Sequence, residues 1–66
     1  MIVTRGTKVK VLAIRNKHLE ASLIGQTGFV VGTRINKEKD IYEHVVEVDG
    51  MQLAPFLGLD LEVLPE

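Results

Sequence analysis

Three glycines, Gly25, Gly28 and Gly32, enclose a short apolar segment, and their spacing restricts how this chain can fold. Proteins use glycine where the backbone turns with positive φ, bulges, or lies close to another strand. The segment between the last two glycines, Phe29-Val30-Val31, has the composition of a buried strand. We therefore expect a sharp turn at 25–28, a strand over about 27–34 with Phe29 in the core, and a bend at Gly32. This pattern favours a small, strongly curved antiparallel sheet.

Alternation of apolar and polar residues predicts four more strands, over 7–14, 41–48, 51–53 and 60–64. The polar segment 36–40 is typical of a hairpin tip, and Asp49-Gly50 of a two-residue hairpin turn. Because proline cannot donate to a strand ladder, we expect Pro55 to end the fourth strand. We expect one 3₁₀ turn over 56–59. In the last strand we expect an inward face of Leu59, Leu61 and Val63 and an outward face of Asp60 and Glu62.

The connection 15–23 is mostly polar, and we interpret it as an ordered loop in which Leu19 and Ala21 pack inward. A single helical turn over 19–23 would be too short to be stable alone. Residues 1–66 are therefore expected to form one all-β domain. Its architecture is predicted to be a five-stranded, SH3-like, partly open barrel with one 3₁₀ turn before the last strand.

The small size of the chain bears on function. A domain of 66 residues buries only about 60% of its unfolded surface, and without cysteine it has neither a disulfide nor a thiolate metal site. Self-association or docking onto a protein partner is then a natural source of further burial. Neither a signal sequence nor a membrane span is recognisable, so we expect a cytoplasmic protein without a membrane partner.

Charge is divided unevenly between the two halves of the chain. Residues 1–34 hold six bases and one acid, whereas residues 35–66 hold two bases and eight acids. A basic surface could steer an acidic protein or neutralise phosphates. We expect partner binding by six residues of the basic half: Lys8, Lys10, Arg15, Lys17, His18 and Arg34.

Two resemblances follow from these segments. The runs Gly6-Thr7-Lys8-Val9-Lys10-Val11-Leu12, 25–31 and Val45-Val46-Glu47-Val48 resemble KOW-type modules, which contact RNA, DNA or protein. The run 5–12, together with Phe56 and the closing segment 60–64, resembles the electron-transport accessory proteins. That group includes the peripheral stromal subunit of photosystem I and the variable chain of ferredoxin–thioredoxin reductase. The second resemblance implies docking, and the first implies nucleic-acid binding as the alternative.

The segment Met51-Gln52-Leu53-Ala54 resembles, through Gln52 alone, the ligand-contacting stretch of plasmid-borne dihydrofolate reductase. That resemblance implies an oligomeric reductase with a pore as a minor alternative. One shared glutamine carries no chemistry by itself.

No residue pattern predicts a catalytic, cofactor or metal site. His18 and Glu20 are two residues apart but lack the third ligand that zinc requires. His44, on a strand face with Tyr42, is expected to be partly buried with one hydrogen bond. Gly25-x-x-Gly28 precedes a strand rather than the helix of a phosphate-binding loop. We therefore predict a non-enzymatic protein.

Overall fold

A computed structural model describes residues 2–65 and places all five strands in one open antiparallel sheet. The strands are β1 (Lys8–Val11), β2 (Thr27–Asn36), β3 (Ile41–Val48), β4 (Met51–Phe56) and β5 (Leu61–Val63). Two 3₁₀ turns, η1 (Ala21–Leu23) and η2 (Gly58–Asp60), complete the order, with η2 immediately before β5. The strand order β4-β3-β2-β1-β5 confirms the predicted all-β, SH3-like, partly open barrel.

The turns form where the sequence predicts them. Gly25 has φ of +89°, and both residues of the Asp49-Gly50 turn have positive φ, at 50° and 79°. Two consecutive positive φ values define the primed turn whose twist matches the strands it joins. The hairpin between β2 and β3 turns over 37–40, and β3 has the predicted bounds.

Two register shifts curve the sheet. The β2–β3 register shifts between Val30 and Gly32, which confirms the bend expected at that glycine. The β3–β4 register shifts between His44 and Val46, where two residues of β4 oppose one of β3. Pro55 lies at this second shift, after a cis Ala54–Pro55 bond. The prediction that Pro55 ends the strand is therefore wrong. An edge strand tolerates proline at a bulge, and β4 continues to Phe56.

Among residues 2–65 the core consists of nine buried apolar residues, and its aromatic member is Phe56 rather than Phe29. Along β2 the side chains alternate, so Gly28 and Val30 face inward and Phe29 faces outward, where it is 51% exposed. The prediction that Phe29 is in the core is therefore wrong. The core residues are Val3, Val9, Val11, Val30, Val46, Val48, Leu53, Phe56 and Leu61.

The predicted facing of the last strand is wrong at three positions. Asp60 is fully buried, whereas Leu59 and Val63 are exposed. Leu59 and Asp60 belong to η2 and not to the strand, so strand alternation does not set which way they face, and within β5 itself only Leu61 is buried. In the connection before β2, Leu19 and Leu23 pack against the core and η1 is a single turn. Ala21, expected to pack inward, is exposed.

The helical elements of residues 2–65 are the two three-residue turns, so no helix in this part of the chain can cross a membrane.

Candidate functional site

The outward face of the sheet carries a row of three side chains that we call the outer row: Lys8 on β1, Phe29 on β2 and Glu47 on β3. The register pairs Lys8 with Phe29 and Phe29 with Glu47, so the three lie side by side across adjacent strands. Phe29, a large aromatic, is half exposed between a cation and an anion. Opposed residues on neighbouring strands have Cβ atoms about 5 Å apart, which brings the three side chains into mutual reach.

Lys10 lies on the same outward face, two residues along β1 from Lys8. It is paired with Thr27 on one side and with Glu62 of β5 on the other. The two lysines form no side-chain hydrogen bond or ion pair with any residue of the described chain. The outward face thus presents Lys8 and Lys10 together, with an acid on each flank.

The other predicted partner-binding residues are placed differently. Lys17 and His18 are exposed in the connection before η1. His18 lines a depression of about 250 Å³ beside the β4 edge, together with Met51 and Leu53. Arg34 is five residues beyond Phe29 along β2, about 16 Å away at the rise of a strand. The structure therefore brings Lys8 and Lys10 together and leaves Arg34 at the far end of the β2–β3 hairpin.

Arg15 is held by a buried carboxylate. Its Nε donates to Oδ2 of Asp60 at 2.6 Å, and the same oxygen accepts the backbone N–H of Leu57 at 2.9 Å. The backbone carbonyl of Asp60 accepts the N–H groups of Leu12 and Ala13. Asp60 therefore ties the connection after β1 to η2, and Arg15 balances its charge.

Arg34 also pairs with a carboxylate, that of Glu43, directly opposite on β3. Arg34 Nε donates to Oε1 at 2.9 Å, and the Asn36 amide donates to Oε2 at 3.4 Å. These two hydrogen bonds, with the charge of Arg34, hold the pKa of Glu43 below its ordinary value of 4.5. Arg34 is thus engaged within the hairpin.

His44 is fully buried, and both ring nitrogens are bonded to backbone groups. The Val3 N–H donates to Nε2 at 2.8 Å, so Nδ1 carries the proton and donates to the Phe56 carbonyl at 2.9 Å. The expected partial burial with one hydrogen bond is therefore wrong. Through these two bonds the ring fastens the segment before β1 to β3 and β4.

An open groove of about 390 Å³ lies between the start of β3 and η2. Its lining includes the apolar side chains of Tyr42, Leu57 and Leu59 and the acidic Asp40. Sequence patterns gave no indication of it, because its walls come from segments about 17 residues apart and no local pattern shows that these two segments meet.

Within residues 2–65, no three His, Cys, Asp or Glu side chains are grouped so that they could hold a metal ion. In the same part of the chain the buried polar side chains are His44 and Asp60, and both are bonded to neighbouring segments, although Oδ1 of Asp60 has no hydrogen-bond partner. The arrangement is suited to holding segments together and to presenting the outer row.

The residue that sequence reasoning missed is Phe29. The composition of the segment 29–31 indicates burial, but strict alternation counted from Val30 would have placed Phe29 on the outward face.

Comparisons of the chain with protein-family models, with curated proteins and with solved structures found no match.

Proposed function

We propose that this chain is a non-catalytic docking or assembly module whose contact surface is centred on the outer row, with Lys10 beside it. The observation that carries the proposal is the half-exposed Phe29 between Lys8 and Glu47 on the outward face of the sheet. Aromatic side chains contribute most to the energy of protein interfaces, and flanking charges orient the partner. Surfaces of this kind bind proteins rather than transform small molecules.

The difference between the paired arginines and the unpaired lysines supports the proposal. Arg15 and Arg34 neutralise carboxylates of their own chain, whereas Lys8 and Lys10 have no such partner among the described residues. Lysines that are not engaged internally are available to an acidic partner at no cost to the fold. Lys17 and His18 would contact a partner large enough to reach beyond the sheet face.

Charge reversal tests this proposal. The double variant K8E/K10E should lose most of the partner captured by immobilised wild-type protein from native lysate. The matched control K37E/K39E makes the same charge change at the hairpin tip, away from the outer row, and should retain capture. Arg15 is left intact because its removal would leave a buried carboxylate without a cation. Equal capture by both double variants, or none by the wild type, would contradict the proposal.

Nucleic-acid binding is the second candidate, favoured by the position of Phe29 beside Lys8 and Lys10. A base can stack on an exposed aromatic ring while neighbouring lysines neutralise phosphates. Glu47 and Glu62 on the same face oppose it. Binding of a short single-stranded RNA should then weaken steeply with rising salt, and a flat response excludes this candidate.

A further inference from the structure

We infer that the outer row binds the outer row of a second copy of this chain, so that the module forms a weak two-fold dimer. This inference rests on the proposed docking function and names its partner. It starts from the distribution of charge about Phe29, with a cation one strand away on one side and an anion one strand away on the other. A two-fold interface must be complementary to itself, because each surface element meets its own copy rotated by half a turn.

The geometry of the row selects one arrangement. If two copies face each other about an axis parallel to β2, the two Phe29 rings meet on the axis. Lys8 of each copy then lies opposite Glu47 of the other, because the rotation exchanges the two sides of β2. An axis in the same plane but perpendicular to β2 would place Lys8 on Lys8 and Glu47 on Glu47. Charge complementarity therefore favours the axis parallel to β2.

The available area sets the strength of the dimer. Four adjacent strands span about 14 Å at a spacing of about 4.8 Å, and 27–31 extends about 13 Å along β2. The resulting surface of about 200 Å² per copy is well below the roughly 800 Å² per partner of a standard stable interface. We therefore expect a dimer that forms only at high protein concentration.

Sedimentation velocity of the purified protein over a wide concentration range tests the inference. Wild-type protein should shift toward the dimer as its concentration rises. The variants K8E and E47K each place like charges opposite one another at two symmetry-related contacts, and each should raise the dissociation constant by about tenfold or more. F29S should abolish association. Circular dichroism and thermal melting establish that each variant is folded.

Charge exchange provides the decisive control. In the double variant K8E/E47K the opposite charges are restored in exchanged positions, so dimerisation should recover. An equimolar mixture of K8E and E47K should form a mixed dimer. One copy then carries an acid at both positions and the other a base at both, so each of the two contacts joins opposite charges. Neither recovery is expected if the single variants act by disturbing the fold.

Three outcomes would overturn the inference. The first is a wild-type protein that stays monomeric at every concentration. The second is a double variant and a mixture that associate no better than the single variants. The third is an E47K variant that binds single-stranded RNA more tightly, and a K8E variant that binds it less tightly, with no change in sedimentation in either case. The lysate experiment measures binding to other proteins, whereas sedimentation measures dimerisation. The docking function can therefore be supported by the first experiment even if the second shows no dimer.

Discussion

Replacing Gly28 with alanine should destabilise the protein strongly, while the same substitution at Gly32, four residues along the same strand, should not. An ideal Cβ added at Gly28 would lie 2.1 Å from the backbone carbonyl oxygen of Glu47 and 2.9 Å from a methyl of Val48. At Gly32 the nearest atoms are those of Val45, at 3.8 Å and beyond. Neither glycine has positive φ, so the comparison isolates the close approach of β2 to β3.

The magnitude follows from the displacement that the new methyl would require. Real Cβ atoms essentially never approach another heavy atom closer than 3.0 Å, so β2 and β3 would have to separate by about 1 Å here. Overpacking of this kind costs about 1–3 kcal/mol, and each strained ladder hydrogen bond adds about 1 kcal/mol. We expect a loss of about 3 kcal/mol for G28A and a change within about 1 kcal/mol for G32A.

Urea unfolding followed by circular dichroism measures both variants under the same conditions. The total stability of a 66-residue domain is about 3–10 kcal/mol, so G28A should lose between a third and all of it. A G28A variant with the same unfolding midpoint as G32A would refute the reasoning, since the β2–β3 contact would then tolerate a methyl group.

The remaining predictions concern the buried and paired polar groups. Arg15→Ala should cost about 2 kcal/mol in urea unfolding because it leaves the Asp60 carboxylate without its cation, and adding Asp60→Asn should restore part of this. An additive double variant would contradict this coupling. His44→Leu should cost about 3 kcal/mol because it leaves two buried backbone groups unbonded, and unchanged stability would contradict that role. Since the pKa of Glu43 is lowered on folding, its contribution to stability is present above about pH 4.5 and is lost as the pH falls through the folded pKa. Arg34→Gln should raise the pKa of Glu43 toward 4.5 in a carboxyl NMR titration, and an unchanged pKa would show that the pair does not form in solution.

The hairpins could be predicted from the sequence because their signals are local. Asp49-Gly50 requires two positive φ values that few other dipeptides adopt, and the alternation of β3 is uninterrupted. Gly32 marked its bend because an isolated glycine inside a strand pattern is typical of a bulge. The barrel followed from counting strands in a chain too short for other layers.

The errors concern residues whose environment depends on distant segments. Asp60 appeared to belong to an alternating strand, but its position is set by bonds to Arg15 and to the N–H of Leu57. No local pattern reports such contacts, because they join residues far apart in the sequence. Phe29 is a different case, since it was placed by composition although alternation counted from Val30 puts it on the outward face.

For the same reason the candidate site was only partly predictable. Lys8 and Lys10 were identified from alternation along β1, but their neighbour Phe29 was not. Arg15 and Arg34 appeared equally available, since the sequence does not show which carboxylate each would meet. The charge pattern of the outer row emerges only when the register of three strands is known.

The two edges of the open sheet offer little backbone to a further strand. On β4, Pro55 has no N–H to give, and the Ala54 carbonyl already accepts a hydrogen bond from the Asn16 amide. On the other side, β5 is only three residues long. Growth of amyloid-like ribbons by edge-to-edge addition is therefore disfavoured, which leaves the faces of the sheet rather than its edges as the place where copies can associate.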